Sequence, residues 1–206
     1  ACPHRLLRSL RPVDPDVAFF VLYHNPAPQG SLMIRAIVFD LDGTLVDTLG
    51  DIATVMNGFL RTRSWPEHTV EAYRMMVGRG LANLIRAAVP PEQADFVDQL
   101  YDEVFGVYDA MGVGDSRPYP GVERTLAELA ARGIRLAVVS NKPDAITRNM
   151  VRTLFPGVPF SLVRGGLDGV PAKPHPATAL EAAKACGADP SECAFVGDSD
   201  VDMKTA

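Results

Sequence analysis

The sequence predicts an α/β fold: a parallel sheet covered by helices, with a helical segment inserted after the first strand. Three observations point to it. The apolar run Ile37-Val38-Phe39 is rich in β-branched and aromatic residues and ends at Asp40-Leu41-Asp42-Gly43, the pattern of a buried strand stopped by glycine. From Thr48 to about residue 115, apolar residues recur at helical spacing and no strand of comparable quality interrupts them. Beyond Gly121, helical and strand patterns alternate, and repeated βα units build a parallel sheet covered on both faces.

Residues 1–32 hold five of the seventeen prolines and no sustained period, so they read as a disordered extension outside the fold. Arg5, Arg8 and Arg11 precede any acid, as in targeting leaders, but no small-residue cleavage pattern follows the apolar run Val17 to Tyr23. Met33 to Phe39 is the first core strand. Leu49, Ile52, Ala53, Met56, Phe59 and Leu60 then line one helix face. A second helix is expected near Pro66, a short one over Leu81–Val89, and a longer one from Pro91 to Met111. Gly112 to Ser116 reads as the linker back to the core. The expected core elements are a helix over Gly121–Arg132, a strand over Ile134–Val139 and a helix over Pro143–Phe155. After them come a strand at Phe160–Val163, a helix over Pro176–Cys186 and a strand at Ala194–Val196. The domain division is therefore a core of 33–48 and 116–206, with helices over 49–115.

Bulk composition excludes several classes. The 206 residues are 47% hydrophobic and 22% charged, ordinary for a globular chain. A net charge of −5 without any Lys/Arg run argues against nucleic-acid binding. The longest apolar run near the N-terminus is far shorter than the roughly 20 residues a membrane helix needs. Cys2, Cys186 and Cys193 form no metal-ligand spacing and read as reduced thiols of a cytoplasmic protein.

Every expected core strand ends in polar residues. The first ends in Asp40 and Asp42, the next in Ser140-Asn141-Lys142. Lys173 follows the third, and Gly197-Asp198-Ser199-Asp200-Val201-Asp202 follows the last. A parallel sheet gathers these termini on one edge, where open α/β sheets hold their ligands. Two carboxylates two residues apart repel unless a cation lies between them. The edge thus combines carboxylates, a hydroxyl and a lysine, the components of metal-assisted phosphoryl transfer. Asp47 reads as a helix N-cap or first-turn acid, Asp200 as solvent-facing and His175 as structural.

In order and phrasing, Asp40-x-Asp42-Gly43-Thr44, Ser140, Lys173 and Gly197-Asp198-Ser199 with Asp202 resemble the four motifs of the haloacid dehalogenase superfamily. Arg117-Pro118-Tyr119-Pro120-Gly121-Val122, Ser140-Asn141-Lys142-Pro143 and Lys173-Pro174-His175-Pro176 are similar to its phosphoglycolate phosphatase branch. The resemblance covers residues 33–206 and implies a Rossmann-like core with a helical, C1-type cap. It also implies a Mg²⁺-dependent phosphomonoester hydrolase. Asp40 would be the nucleophile and Asp42 the acid and base. Mg²⁺ would be held by Asp40, Asp198 and the Asp42 backbone carbonyl, with Asp202 acting from behind them. Thr44, Ser140 and Asn141 would contact phosphate, and Lys173 would neutralise charge on the transferring group. Arg79, between Gly78 and Gly80, is the expected partner of a substrate carboxylate.

The implied substrate is a small phosphorylated metabolite, first of all 2-phosphoglycolate. Sugar-phosphate or nucleotide phosphatases and phosphosugar mutases are the alternatives within the fold. The chain ends four residues after Asp202, whereas the family continues through further core elements. A different class of reading follows, a non-catalytic fragment that binds phosphate and metal. Oligomeric state is not legible in the sequence.

Overall fold

The computed structural model describes residues 20–23 and 34–206. Its strands are β1 (Phe20–Tyr23), β2 (Ala36–Phe39), β3 (Val46–Asp47), β4 (Arg117–Pro118), β5 (Arg135–Pro143), β6 (Phe160–Gly166) and β7 (Cys193–Gly197). Its helices are α1 (Leu49–Thr62), α2 (Val70–Tyr73), α3 (Leu81–Ala88), α4 (Val97–Met111), α5 (Val122–Ala131), α6 (Asp144–Leu154), α7 (Ala177–Ala185) and α8 (Asp200–Thr205). The fold class is the α/β arrangement the sequence predicts.

The main sheet has the order β1-β7-β2-β5-β6. β2 runs parallel to both β5 and β7, and β5 runs parallel to β6. Successive residues of these strands point to opposite faces. One face carries Phe39, Leu136, Val138 and Val196 against Val122 and Leu126 of α5 and Met150 and Val151 of α6. The other carries Ala36, Val38, Ala137, Val139 and Phe195 against Ala182 and Cys186 around α7. Cys186 is buried and Cys193 half-buried, and both are free thiols; Cys2 lies outside the described residues.

The expectation that residues 1–32 lie outside the fold needs correction at β1, which pairs antiparallel with β7 from Phe20↔Gly197 to Tyr23↔Ala194. Phe-Val-Leu-Tyr is a strong strand sequence, and the β7 edge offers it free backbone donors and acceptors. Residues 1–19 and 24–33 lie outside the described residues. Other differences concern boundaries. The first core strand starts at Ala36 instead of Met33. The helix expected near Pro66 is the single turn α2, which Thr69 caps by accepting from the Ala72 N–H at 3.2 Å. The segment after Pro90-Pro91 begins as a 3₁₀ turn, Pro91–Phe96, before α4, and Pro91 has no N–H to give.

Helices α1 to α4 enclose their own apolar cluster, including Ile52, Met56, Phe59, Leu60, Tyr73, Ile85, Val97 and Val104. The chain leaves the sheet through β3 and returns through β4, and the two pair antiparallel, Val46↔Pro118 and Asp47↔Arg117. Asp51 in α1 is buried and accepts from the N–H groups of Asp115 at 3.1 Å and Ser116 at 2.7 Å. Outgoing and returning segments are thus fastened together. Among the described residues, no helix is long and apolar enough to cross a membrane.

Candidate active site

Gly43 ends the first core strand's extension. At φ +79° it turns the chain so that the Gly43 N–H donates to the Val46 carbonyl at 3.0 Å. A Cβ there would lie 2.2 Å from Asp198 Oδ2, so only glycine lets this turn approach the β7 end. Thr44, buried in the same turn, donates its hydroxyl to Asp198 Oδ1 at 3.3 Å. Close contact between the β2 and β7 termini is what draws the acids together.

Asp40, Asp198 and Asp202 each present an oxygen within 4.8 Å of the others. Asp40 and Asp202 are buried, and Asp198 keeps solvent access. Lys173 Nζ stands between two of them, 2.8 Å from Asp40 Oδ1 and 2.7 Å from Asp202 Oδ1. The Asp202 contact is an aligned hydrogen bond, whereas Asp40 Oδ1 has the charge of Lys173 beside it but no well-directed donor. Burial pushes the Asp40 carboxyl up to about 7, against the opposing pull of Lys173 and with Asp202 adding to the rise. Desolvation, then the Asp202 charge, also raises Asp198.

These observations fit a hard divalent cation. A buried carboxylate oxygen lacks a directed donor, a second carboxylate stands open to solvent, and burial holds both acids above their ordinary range, with the neighbouring Asp202 adding to each rise. Mg²⁺ binds through one or two carboxylates and retains waters, which suits Asp40 and Asp198. Both Asp202 oxygens are already engaged: Oδ1 accepts from Lys173 at 2.7 Å, and Oδ2 accepts from the Ser199 N–H at 3.1 Å and hydroxyl at 2.6 Å in the capping box that starts α8.

Asp42 is half-buried and is not one of the three clustered acids. Its Oδ1 accepts from the Thr48 hydroxyl at 2.7 Å and pairs with Lys142 Nζ at 2.9 Å. Ser140 is buried at the end of β5, its hydroxyl accepting from the Lys142 N–H at 3.2 Å. Asn141 acts as a clamp. Its amide donates to the carbonyls of Gly78 and Lys173, both at 2.9 Å, and accepts from the Lys173 N–H at 2.8 Å. Asp40, Asp42, Ser140, Asn141 and Lys142 line one cleft with Gly78, Gly80, Leu81 and Tyr108 of the helical segment.

Arg79 does not join the cluster. Its side chain is exposed at the rim, 3.6 Å from Asp200. Asp200 is solvent-facing, as expected, and also meets Lys204 at 2.7 Å. Asp47 is exposed and accepts weakly from the Leu49 N–H at 3.4 Å, one residue before the helix cap, which is Thr48. His175 is exposed in the turn after Lys173 and accepts from the Ala177 N–H at 3.2 Å. Sequence reasoning missed Thr48, Tyr108 and Lys142 as neighbours of Asp42. Only Lys142 carried a signal, its place two residues after Ser140.

A model of the haloacid dehalogenase-like hydrolases matches residues 34–206. A phosphoglycolate phosphatase of Xylella fastidiosa is 32% identical over 177 residues, covering 86% of this chain and 77% of that protein. One of Photorhabdus laumondii is 34% identical, covering 84% of this chain and 76% of that protein. Among solved structures, one described as a predicted phosphoglycolate phosphatase from Haemophilus somnus is 32% identical with a TM-score of 0.76, covering 85% of this chain and 82% of that one. The chain thus spans about three quarters of the length of these sequence relatives. By the family model and by these relatives, it belongs to the haloacid dehalogenase-like hydrolases, on the phosphatase side of that family.

Proposed function

We propose that this chain hydrolyses a small phosphomonoester, 2-phosphoglycolate first among candidates, through a phosphoryl-enzyme formed on Asp40. The observation that carries the mechanism is the paired arrangement of two acids and two lysines. Asp40 is held against Lys173, and Asp42, two residues on, is held against Lys142. One strand end therefore presents a carboxylate beside a fixed cation and a second carboxyl in a separate setting, the division a nucleophile and an acid–base need. The relatives named as phosphoglycolate phosphatases support the substrate.

In this reading an Asp40 oxygen attacks phosphorus in line with the ester oxygen. The bond to the leaving oxygen breaks, and Asp42, which must first leave Lys142 and take up a proton from solvent, delivers that proton to the oxygen. Asp42, now a carboxylate, takes a proton from water as the water oxygen attacks phosphorus, and the bond to Asp40 breaks to release inorganic phosphate. Lys173, with the Ser140 hydroxyl and the backbone around Asn141, stabilises charge on the transferring oxygens. Thr44 orients Asp198, and Asp202 fixes Lys173. Mg²⁺, held by Asp40, Asp198 and the Asp42 carbonyl, would supply charge neutralisation at the phosphate. Arg79, at the rim, would meet the incoming anion. The helices over 49–115 would act as the cap that closes the cleft over the substrate.

The test is phosphate release from 2-phosphoglycolate, sugar phosphates and nucleotides, with and without Mg²⁺, beside an Asp40→Asn variant. Mg²⁺-dependent release that disappears in the variant is expected. Release that persists in Asp40→Asn, or transfer of phosphate between sugar hydroxyls without hydrolysis, would overturn the reading.

A further inference from the structure

The cleft contains a second buried cation to which the mechanism above gives no partner on the substrate. Lys142 is the third of three consecutive residues at the end of β5, and its side chain is 2% exposed. Its ammonium pairs with Asp42 Oδ1 at 2.9 Å, donates to the Tyr108 hydroxyl and lies 4.5 Å from the centre of the Tyr108 ring. Burial pulls the ammonium down, but the Asp42 carboxylate, then Tyr108, outweigh it and raise it above its ordinary value. Among the described residues, Asp42 is its one carboxylate within ion-pairing distance. An acid–base residue must swing toward the leaving oxygen, and a buried ammonium deserted by its carboxylate is strongly destabilised. A second carboxylate resolves this, and the substrate is the one component that can bring it.

We propose that Lys142, seated against Tyr108, is the specificity-determining cation that receives the carboxylate of a carboxylate-bearing phosphomonoester. The assignment rests on the phosphatase reading above and deepens it. In 2-phosphoglycolate the carboxyl is one methylene from the ester oxygen. A phosphate between Asp40 and Ser140 therefore keeps the carboxyl inside the cleft that Asp42, Tyr108 and Lys142 also line. Arg79, by contrast, is exposed at the rim and already faces Asp200. Arrival of the substrate carboxylate gives Lys142 a new partner and frees Asp42 to serve the leaving oxygen.

The test compares kcat/KM for 2-phosphoglycolate and for 2-hydroxyethyl phosphate, which replaces the carboxylate by a neutral group. Wild type is expected to favour the former. Lys142→Met should lower the ratio of the two values about 100-fold and Tyr108→Phe about 10-fold, the range for losing a hydrogen bond to a charged group. Product inhibition by glycolate should weaken in parallel. An equal loss on both substrates would make Lys142 a positioning residue for Asp42 alone and overturn the assignment. Should Lys142→Met not fold, the Tyr108→Phe ratio, which tests loss of a single oxygen, decides. A wild-type enzyme that hydrolyses both esters without preference overturns the assignment and leaves the phosphatase reading standing. Turnover unaffected by Asp40→Asn overturns both.

Discussion

Asn141 and Lys173, separated by 32 residues, are joined by reciprocal hydrogen bonds, side-chain amide to backbone carbonyl at 2.9 Å and backbone N–H to side-chain oxygen at 2.8 Å. The Lys173 ammonium is thereby located from its own main chain, at the distance at which it meets Asp40 and Asp202. Asn141→Ala leaves two buried backbone groups unpaired, which costs about 2–3 kcal/mol. A shift of the lysine by even about 1 Å lowers turnover on the order of 100-fold. Denaturant unfolding and phosphate release, measured on the same preparation, should both fall. A destabilised variant with unchanged turnover would show that the clamp is not what positions Lys173.

Gly43→Ala should be among the most damaging single-methyl additions in the chain. Its φ of +79° is left-handed, and the new carbon would meet Asp198 Oδ2 at 2.2 Å. Strain in the turn is of order 1–3 kcal/mol, and Asp198 must move. The expected result is a Mg²⁺ concentration for half-maximal activity raised at least about tenfold, with a melting temperature lowered by several degrees. An unchanged Mg²⁺ dependence would dissociate Asp198 from the metal.

Cation binding has a readout independent of turnover. A ligand that binds only the folded chain stabilises it by mass action, about 2.7 kcal/mol at a hundred times its dissociation constant. Mg²⁺ should therefore raise the melting temperature of the wild type, and the increase should be largely lost in Asp198→Asn. Equal increases in both proteins would argue for binding elsewhere.

Asp144 supplies a pH-dependent share of stability away from the cleft. Its carboxylate accepts from the Gly165 N–H at 2.8 Å and from Arg148 Nε at 2.6 Å, fastening α6 to β6. Desolvation raises its pKa, but the Arg148 and Gly165 hydrogen bonds outweigh that and leave it below the ordinary value of 3.8. A depressed carboxyl stabilises the fold above its unfolded pKa, and the benefit is lost as pH falls through the folded one. Asp144→Asn should cost about 1–2 kcal/mol at pH 6, and the gap to wild type should close below about pH 3.8. Urea titrations at several pH values read this directly. A gap that does not narrow in acid would assign the effect to packing.

The fold class was legible because alternation of β-branched runs with helical periods needs only local pattern. Placement of Asp40, Asp42, Ser140 and Asp198 at strand ends was legible for the same reason, since each follows an apolar run directly. Lys173 is different. It stands seven residues beyond Gly166, on a loop whose course is set by the Asn141 clamp. Tyr108 read as one more apolar position on a helix face, and nothing local distinguishes its hydroxyl from one facing solvent. Its meeting with Lys142 requires α4 to cross the end of β5, a tertiary fact. Strand β1 was hidden in a proline-rich stretch, because pairing with β7 depends on an edge 170 or more residues away along the chain.

Three adjacent residues at the tip of β5 divide the molecule among them. Ser140 faces the cleft, Asn141 ties the Lys173 loop to Gly78, and Lys142 reaches Tyr108 on α4. Two of these links join the sheet to the helical segment across the cleft, while the Asp51 grip on Ser116 fastens the point where the chain returns to the sheet. Under the proposed function the helical segment would be a lid with a pinned hinge and a two-point latch, and that latch would share its strand with the proposed chemistry. On that reading, departure of product would have to undo that latch. Substitutions at this tip would then alter residence times as well as bond-breaking, and single-turnover and steady-state rates should diverge there before they diverge elsewhere.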